Sequence, residues 1–279
     1  MVGGVFMLSI MDAIAKWLVE ENISPIQVLA VRSWIIISIL ILILFVRHEV
    51  SLLKTRRPLA HAFRGVFGFL SPFCFFLALK SLPLADATVV FFSSTFMLTA
   101  MSALIFKERV GIYRWGAVVT GFAGVLVAVN PQGDGEPFAY LLVLFSAFVY
   151  AILLLSGKRL AEQDSIISLV FSFNLMLGVI STLLLPLIWI PVSWSIVGII
   201  LLLSLFAIGG HYAATTAFSK AQVSAVAPFE YTALIWAALL GYLVWLDMPS
   251  LQVWIGAMII VVSGLYVIYR ESLPLSINQ

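Results

Sequence analysis

Long stretches of this chain are apolar on every side, and that continuity constrains the fold more than any motif does. The runs Ile35–Phe45 and Ile196–Leu205 are broken by little more than single serines. A stripe of apolar residues on one face marks a surface helix, and strict alternation marks a half-buried strand; neither pattern fits here. A transmembrane β-barrel would need that alternation too. The remaining solution is a bundle of helices that cross a bilayer, each using about 20 apolar residues. Composition agrees, since 63% of the 279 residues are hydrophobic and 10% charged, against about a quarter charged in soluble domains. The chain reads as an all-α membrane protein.

Interruptions of the apolar runs mark ten transmembrane helices. The first five are Val2–Val19, Ile26–Val46, Leu59–Leu79, Asp86–Phe106 and Tyr113–Val129. The second five are Phe138–Leu155, Ile166–Ile188, Trp194–Ser219, Val223–Leu246 and Leu251–Tyr269. The first run lacks a basic leader and a cleavage site and continues through Asp12 and Lys16, so it reads as a retained span rather than a signal peptide. Connectors alternate in charge. Of the 15 basic residues, 12 fall on one side, in the links after spans two, four, six, eight and ten. Basic short loops stay cytoplasmic, which puts both termini inside. The expected location is a bacterial cytoplasmic (inner) membrane.

Other classes drop out on simple chemistry. Cys74 is the sole cysteine and three histidines are present (His48, His61, His211), too few for a disulfide, a cysteine metal cluster or a histidine-rich di-iron site. A net charge of +2 suggests no nucleic acid or other polyanionic partner. No cofactor is expected.

The two halves share a layout. Ala78, Glu108 and Trp115 align with Ala217, Asp247 and Trp254, and Gly116 and Gly124 align with Gly256 and Gly264 after a one-residue slip. Asp12-Ala13-Ile14 matches Tyr150-Ala151-Ile152 more weakly. With five spans per half, the second copy starts on the opposite side of the membrane. The expected organisation is two inverted five-helix repeats, 1–130 and 131–279. Secondary transporters built this way bind substrate near the midplane between the repeats. The four glycines are read as close helix contacts.

These residues resemble the drug/metabolite transporter superfamily, in members with two EamA-type repeats. The resemblance is carried by Asp12-Ala13 with Lys16, Val31-Arg32-Ser33 and Leu82 through Thr88. It continues through Lys107-Glu108-Arg109-Val110, Trp115 through Gly124, Val226 through Thr232, and Asp247-Met248-Pro249. Within that superfamily the chain looks like YddG-type amino-acid exporters and also like carriers of S-adenosylmethionine. The family commonly has proline in the middle of span four, where this chain has Ser93-Ser94-Thr95-Phe96; a hinge there is therefore in doubt. Pro228 is the rough counterpart in span nine.

Ionisable groups at membrane depth mark cavities or partners. Asp12, near the midplane, reads either as half of an i, i+4 pair with Lys16 or as a substrate-amine or proton site. Arg32 is expected to pair with Glu20, Glu21 or Asp12 rather than with substrate. His211 and Glu230 fall at similar depth on adjacent spans, as a proton relay or headgroup site, or as an interhelical bridge. Ser93, Ser94, Thr95, Tyr150, Asn174 and Tyr212 are candidate lining, and Trp236 is a candidate wall. The substrate-binding set is Asp12, Ser94, Thr95, Tyr150, His211, Tyr212, Glu230 and Trp236.

The expected function is alternating-access transport of small neutral or zwitterionic metabolites, foremost export of amino acids, aromatic or sulfur-bearing ones among them. The alternative is a carrier of S-adenosylmethionine or organic cations. Outside transport stand an intramembrane enzyme, for which no Ser/His or paired midplane aspartate motif is evident, and an assembly protein. Expected partners are the lipid bilayer, a small-molecule substrate and protons as candidate coupling ion, with the monomer as default.

Overall fold

A computed structural model describes residues 1–106, 111–130, 136–161, 164–220 and 226–272. The Lys107–Val110 turn, part of the resemblance above, lies outside them. In order come α1 (Val2–Glu20), α2 (Pro25–Val46), α3 (Pro58–Ala78), α4 (Leu84–Phe91), α5 (Ser93–Phe106) and α6 (Ile112–Val129). They are followed by α7 (Pro137–Ala161), α8 (Ile166–Leu184), α9 (Trp194–Lys220), α10 (Thr232–Trp245) and α11 (Leu251–Ser272). Short 3₁₀ turns lie at Val50–Leu53, Leu185–Leu187 and Ala227–Tyr231. Among the described residues, eight segments are long and apolar enough to cross a membrane, and Trp115–Val129 is a shorter apolar helix. Of what the sequence reads as span nine, the described part includes a 3₁₀ turn followed by the 14 residues of α10.

Two spans are broken, for different reasons. In span nine Pro228 stands in the first turn of the 3₁₀ segment, where its missing N–H is tolerated. Span four has no proline, yet α4 stops at Phe91 and α5 starts at Ser93. Phe92 has ψ −13°, and the Thr95 N–H reaches the Phe92 carbonyl at 3.1 Å, which tightens the turn. The Thr88 hydroxyl donates to the Leu84 carbonyl at 2.7 Å, the kind of side-chain competition that bends helices. The sequence leaves a hinge in doubt here for want of proline; the helix is nonetheless interrupted, by the tightened turn at Phe92. The two breaks meet, with the Phe92 and Tyr231 ring centroids 5.1 Å apart.

The helices pack in pairs: α1 with α9, α3 with α7, α2 with α8, and α6 with α11. Further pairs are α1 with α10, α5 with α7, α2 with α9, and α3 with α8. Advancing every span by five turns each of these pairings into itself or into another of them.

A polar clasp centred on Asp164, between α7 and α8, ties the first half to the second at the ends of α3 and α8. The Thr55 hydroxyl donates to Asp164 Oδ2 at 2.7 Å and the Arg56 N–H to Oδ1 at 3.0 Å. His61 Nε2 lies 2.8 Å from Oδ2, and its Nδ1 lies 2.6 Å from the Ser172 hydroxyl. The Thr55 and Arg56 donors, then His61, hold the Asp164 carboxyl at a pKa of about 2. A carboxyl depressed in the folded state stabilises the fold above its unfolded pKa and stops doing so as pH falls through the folded value. Asp164→Asn is therefore expected to lower the melting temperature by a constant margin from pH 7 down to about 4. That margin shrinks toward zero as pH drops through about 2. A margin unchanged at the acid end would contradict the role given to the carboxylate.

Candidate functional site

One cavity of about 400 Å³ runs into the bundle between the two halves. Helical periodicity selects its lining. From α1 come Val5, Leu8 and Asp12, one turn apart; from α10 come Ala233 and Ala237, continuing the face begun by Glu230. Tyr150, Leu153 and Leu154 enter from α7, Phe173 from α8, and His211 and Ala214 from α9. The broken span four contributes Thr88, Phe91, Phe92, Ser94, Thr95 and Leu98. Breaking a helix at this depth is tolerated where the freed backbone faces a cavity or protein rather than lipid.

Six of the expected residues therefore share one cavity: Asp12, Ser94, Thr95, Tyr150, His211 and Glu230. Thr95, His211 and Glu230 are exposed within it. Two do not line it. Tyr212, next to His211 in sequence, is 74% exposed and sits where a helix turns it away from its neighbour. Trp236 packs on Phe6, ring centroids 4.7 Å apart, with its indole N–H buried and unpartnered. Ser93 is fully buried beside the break, and the Asn174 amide donates to the Val170 carbonyl of its own helix at 2.9 Å rather than across helices.

Pairing of the charges also differs from expectation. Lys16 does not pair with Asp12. Its ammonium lies 2.7 Å from Glu20 and donates to the Leu82 and Leu79 carbonyls at 3.0 and 3.3 Å. Trp245 completes the group, its ring 5.1 Å from Lys16 Nζ and its indole N–H donating to Glu20. These carbonyls lie past the end of α3, where no further helical turn supplies a donor, so a lysine that fits among them is held more firmly than by Asp12. Nearby the Tyr140 hydroxyl donates to Asp86 at 3.3 Å. This cluster lies at the end of the bundle at which α1 and α10 finish, and its side chains do not line the cavity. The cavity lining instead reaches Met1, Leu98 and Ala214 toward the opposite end.

Asp12 is left facing Arg32, and the two interact by charge, as does Arg32 with His211. Among the described residues, no hydrogen bond joins His211 and Glu230, so they are cavity neighbours rather than a bridge. Glu230 acts electrostatically on Tyr150, as does Arg64. Sequence reading missed the aromatic side of the site, made of Phe75, Phe76, Phe91, Phe92 and Phe173. The turn-spaced stripe of Val5, Leu8 and Asp12 is the signal that points to the cavity face of α1. No group of three or more metal-binding side chains occurs among the described residues.

A helical membrane bundle whose central cavity gathers acids, a guanidinium and aromatic walls has the makings of a small-molecule carrier. The chain belongs to the EamA-like transporter family, which matches residues 1–130 and again 137–270; it is a multi-pass membrane transporter. It is 28% identical over 244 residues to an S-adenosylmethionine uptake transporter of Rickettsia felis, covering 86% of this chain and 81% of that one. It is 28% identical to a pseudopaline exporter of Pseudomonas aeruginosa, covering 92% and 90%. A riboflavin transporter of Rhizobium johnstonii is 25% identical, covering 94% and 87%. These relatives are named for other cargo than the amino acids of the YddG-type exporters, so the finer resemblance is not sustained by them. A crystal structure with a TM-score of 0.64, 20% identity and 97% and 99% coverage shares the fold.

Proposed function

We propose that this protein is a secondary transporter for small zwitterionic metabolites that carry an amino-acid group, working by alternating access between two inverted five-helix repeats. The repeat reading is supported by the helix pairings, which exchange under a shift of five spans, and by the double family match. The observation that carries the substrate reading is the cavity itself. Its 400 Å³ lies in the range of about 300–1,000 Å³ typical of small-molecule sites, and it joins opposite charges to phenylalanine walls. A zwitterion matches both signs at once. A phosphorylated anion would leave Asp12 and Glu230 unpaired at membrane depth.

S-adenosylmethionine is the first substrate to test. It adds a sulfonium and an aromatic base to the zwitterion, for which the second acid, Glu230, and the phenylalanines supply complements. Export of free aromatic or sulfur-bearing amino acids is the second reading, favoured by the same walls. Relatives are named for uptake and for export, so flux is measured in both directions. The basic-loop bias supports both termini on the cytoplasmic side of an inner membrane. Protons are the candidate coupling ion.

In proteoliposomes, wild-type protein is expected to accumulate labelled S-adenosylmethionine or amino acid, and Glu230→Gln to abolish this with its melting temperature kept. Wild-type flux in Glu230→Gln would return Glu230 to a structural role. A pH gradient that alters neither rate nor final level would remove proton coupling.

A further inference from the structure

Arg32 is an anomaly in the cavity. It is 7% exposed, on the eighth residue of α2, about 10 Å from the helix start at 1.5 Å per residue. Guanidinium is charged at any working pH and carries five N–H donors. Buried charges are paired and hydrogen-bonded as a rule. Here Nε has no partner, and among the described residues no acceptor bonds the other donors or forms an ion pair within 4 Å. Asp12, at matching depth on α1, acts on it by charge without touching it. The neighbouring His211 offers no negative charge. Both Arg32 and Asp12 line the cavity.

Resting on the zwitterion reading above, we infer that Arg32 is the carboxylate anchor of the site and Asp12 its ammonium anchor. Together they hold an α-amino-acid headgroup in the gap between them. A planar fork of N–H groups fits a carboxylate with two parallel, charge-assisted bonds. Arg32 and Asp12 form no ion pair with one another and both line the cavity, which leaves each free to take one end of the headgroup. The rest of the molecule then extends along the cavity toward Phe91 and Phe92. Free amines without the acid group leave Arg32 unsatisfied and are discriminated against, because a buried donor deprived of its acceptor costs more than the bond itself contributes.

The test compares ligands that differ by the carboxylate alone. S-adenosylmethionine and its decarboxylated form, and L-phenylalanine and phenethylamine, are titrated into purified wild-type, Arg32→Lys and Arg32→Gln protein, by equilibrium binding. For whichever pair binds, wild type should favour the acid by about 10- to 100-fold. Arg32→Gln should lose that preference while keeping its weak affinity for the amine, and Arg32→Lys should keep part of it. A wild type that binds acid and amine equally overturns the anchor and leaves the transporter reading standing. Failure of wild type to bind any of the four overturns the zwitterion reading and the anchor with it. If Arg32→Gln does not fold, the wild-type ratio and Arg32→Lys decide alone.

Discussion

Gly256→Leu will separate α6 from α11 and leave little correctly folded protein. A Cβ built on Gly256 would stand 2.6 Å from both the Gly124 carbonyl oxygen and Ala128 Cβ, and 2.8 Å from the Ala128 nitrogen. Two of these are backbone atoms and cannot swing aside. In lipid there is no hydrophobic force to push helices back together, so close packing between small residues is what holds them. Overpacking a tight core costs about 1–3 kcal/mol, and a whole leucine against backbone belongs at the top of that range. The readout is the yield of monodisperse protein and its melting temperature. Gly116, of the same repeated pattern, has nothing within 4 Å of its would-be Cβ. Gly116→Ala should therefore match wild type or gain slightly, by less than about 1 kcal/mol. Equal tolerance at both positions would contradict the packing described.

Lys16→Met ranks next. The ammonium is 4% exposed and Glu20 31%, so methionine leaves a carboxylate and two backbone carbonyls short of their donor. Removing one member of a buried pair costs about 3–5 kcal/mol. Partial exposure of Glu20 places this change nearer the lower figure. The same cluster ties the end of α1 to the residues after α3 and to α10, so the variant should show a lower melting temperature. Lys80, exposed and 3.4 Å from Asn22, is the control, since such a surface contact is worth little. A Lys16→Met protein as stable as Lys80→Met would contradict the assignment.

Membrane class, most helix boundaries and the gathering of Asp12, Tyr150, His211 and Glu230 were legible in the sequence. Apolar run length and the cost of ionisable groups in lipid act locally, so each leaves a local trace. Partner choice did not. Lys16 sits one turn from Asp12, yet it reaches carbonyls 63 and 66 residues away, which i, i+4 spacing cannot reveal. Spacing along a helix did not reveal which way Tyr212 and Trp236 face; only packing fixes that. Asp164, the centre of the clasp, carries no local signal, because Thr55 and His61 reach it from more than 100 residues away. The break in span four left no sequence mark because no proline stands there.

Alternating-access transport requires a central cavity that opens to one face of the membrane and then to the other. Thr95, exposed in the cavity, provides the direct measurement. With Cys74→Ser removing the sole native thiol, Thr95→Cys is labelled by a membrane-impermeant thiol reagent applied from each face in turn. Labelling should come from the face where α1 begins in the resting protein. It should extend to the opposite face when substrate is supplied. Reactivity confined to one face in every condition would contradict alternating access.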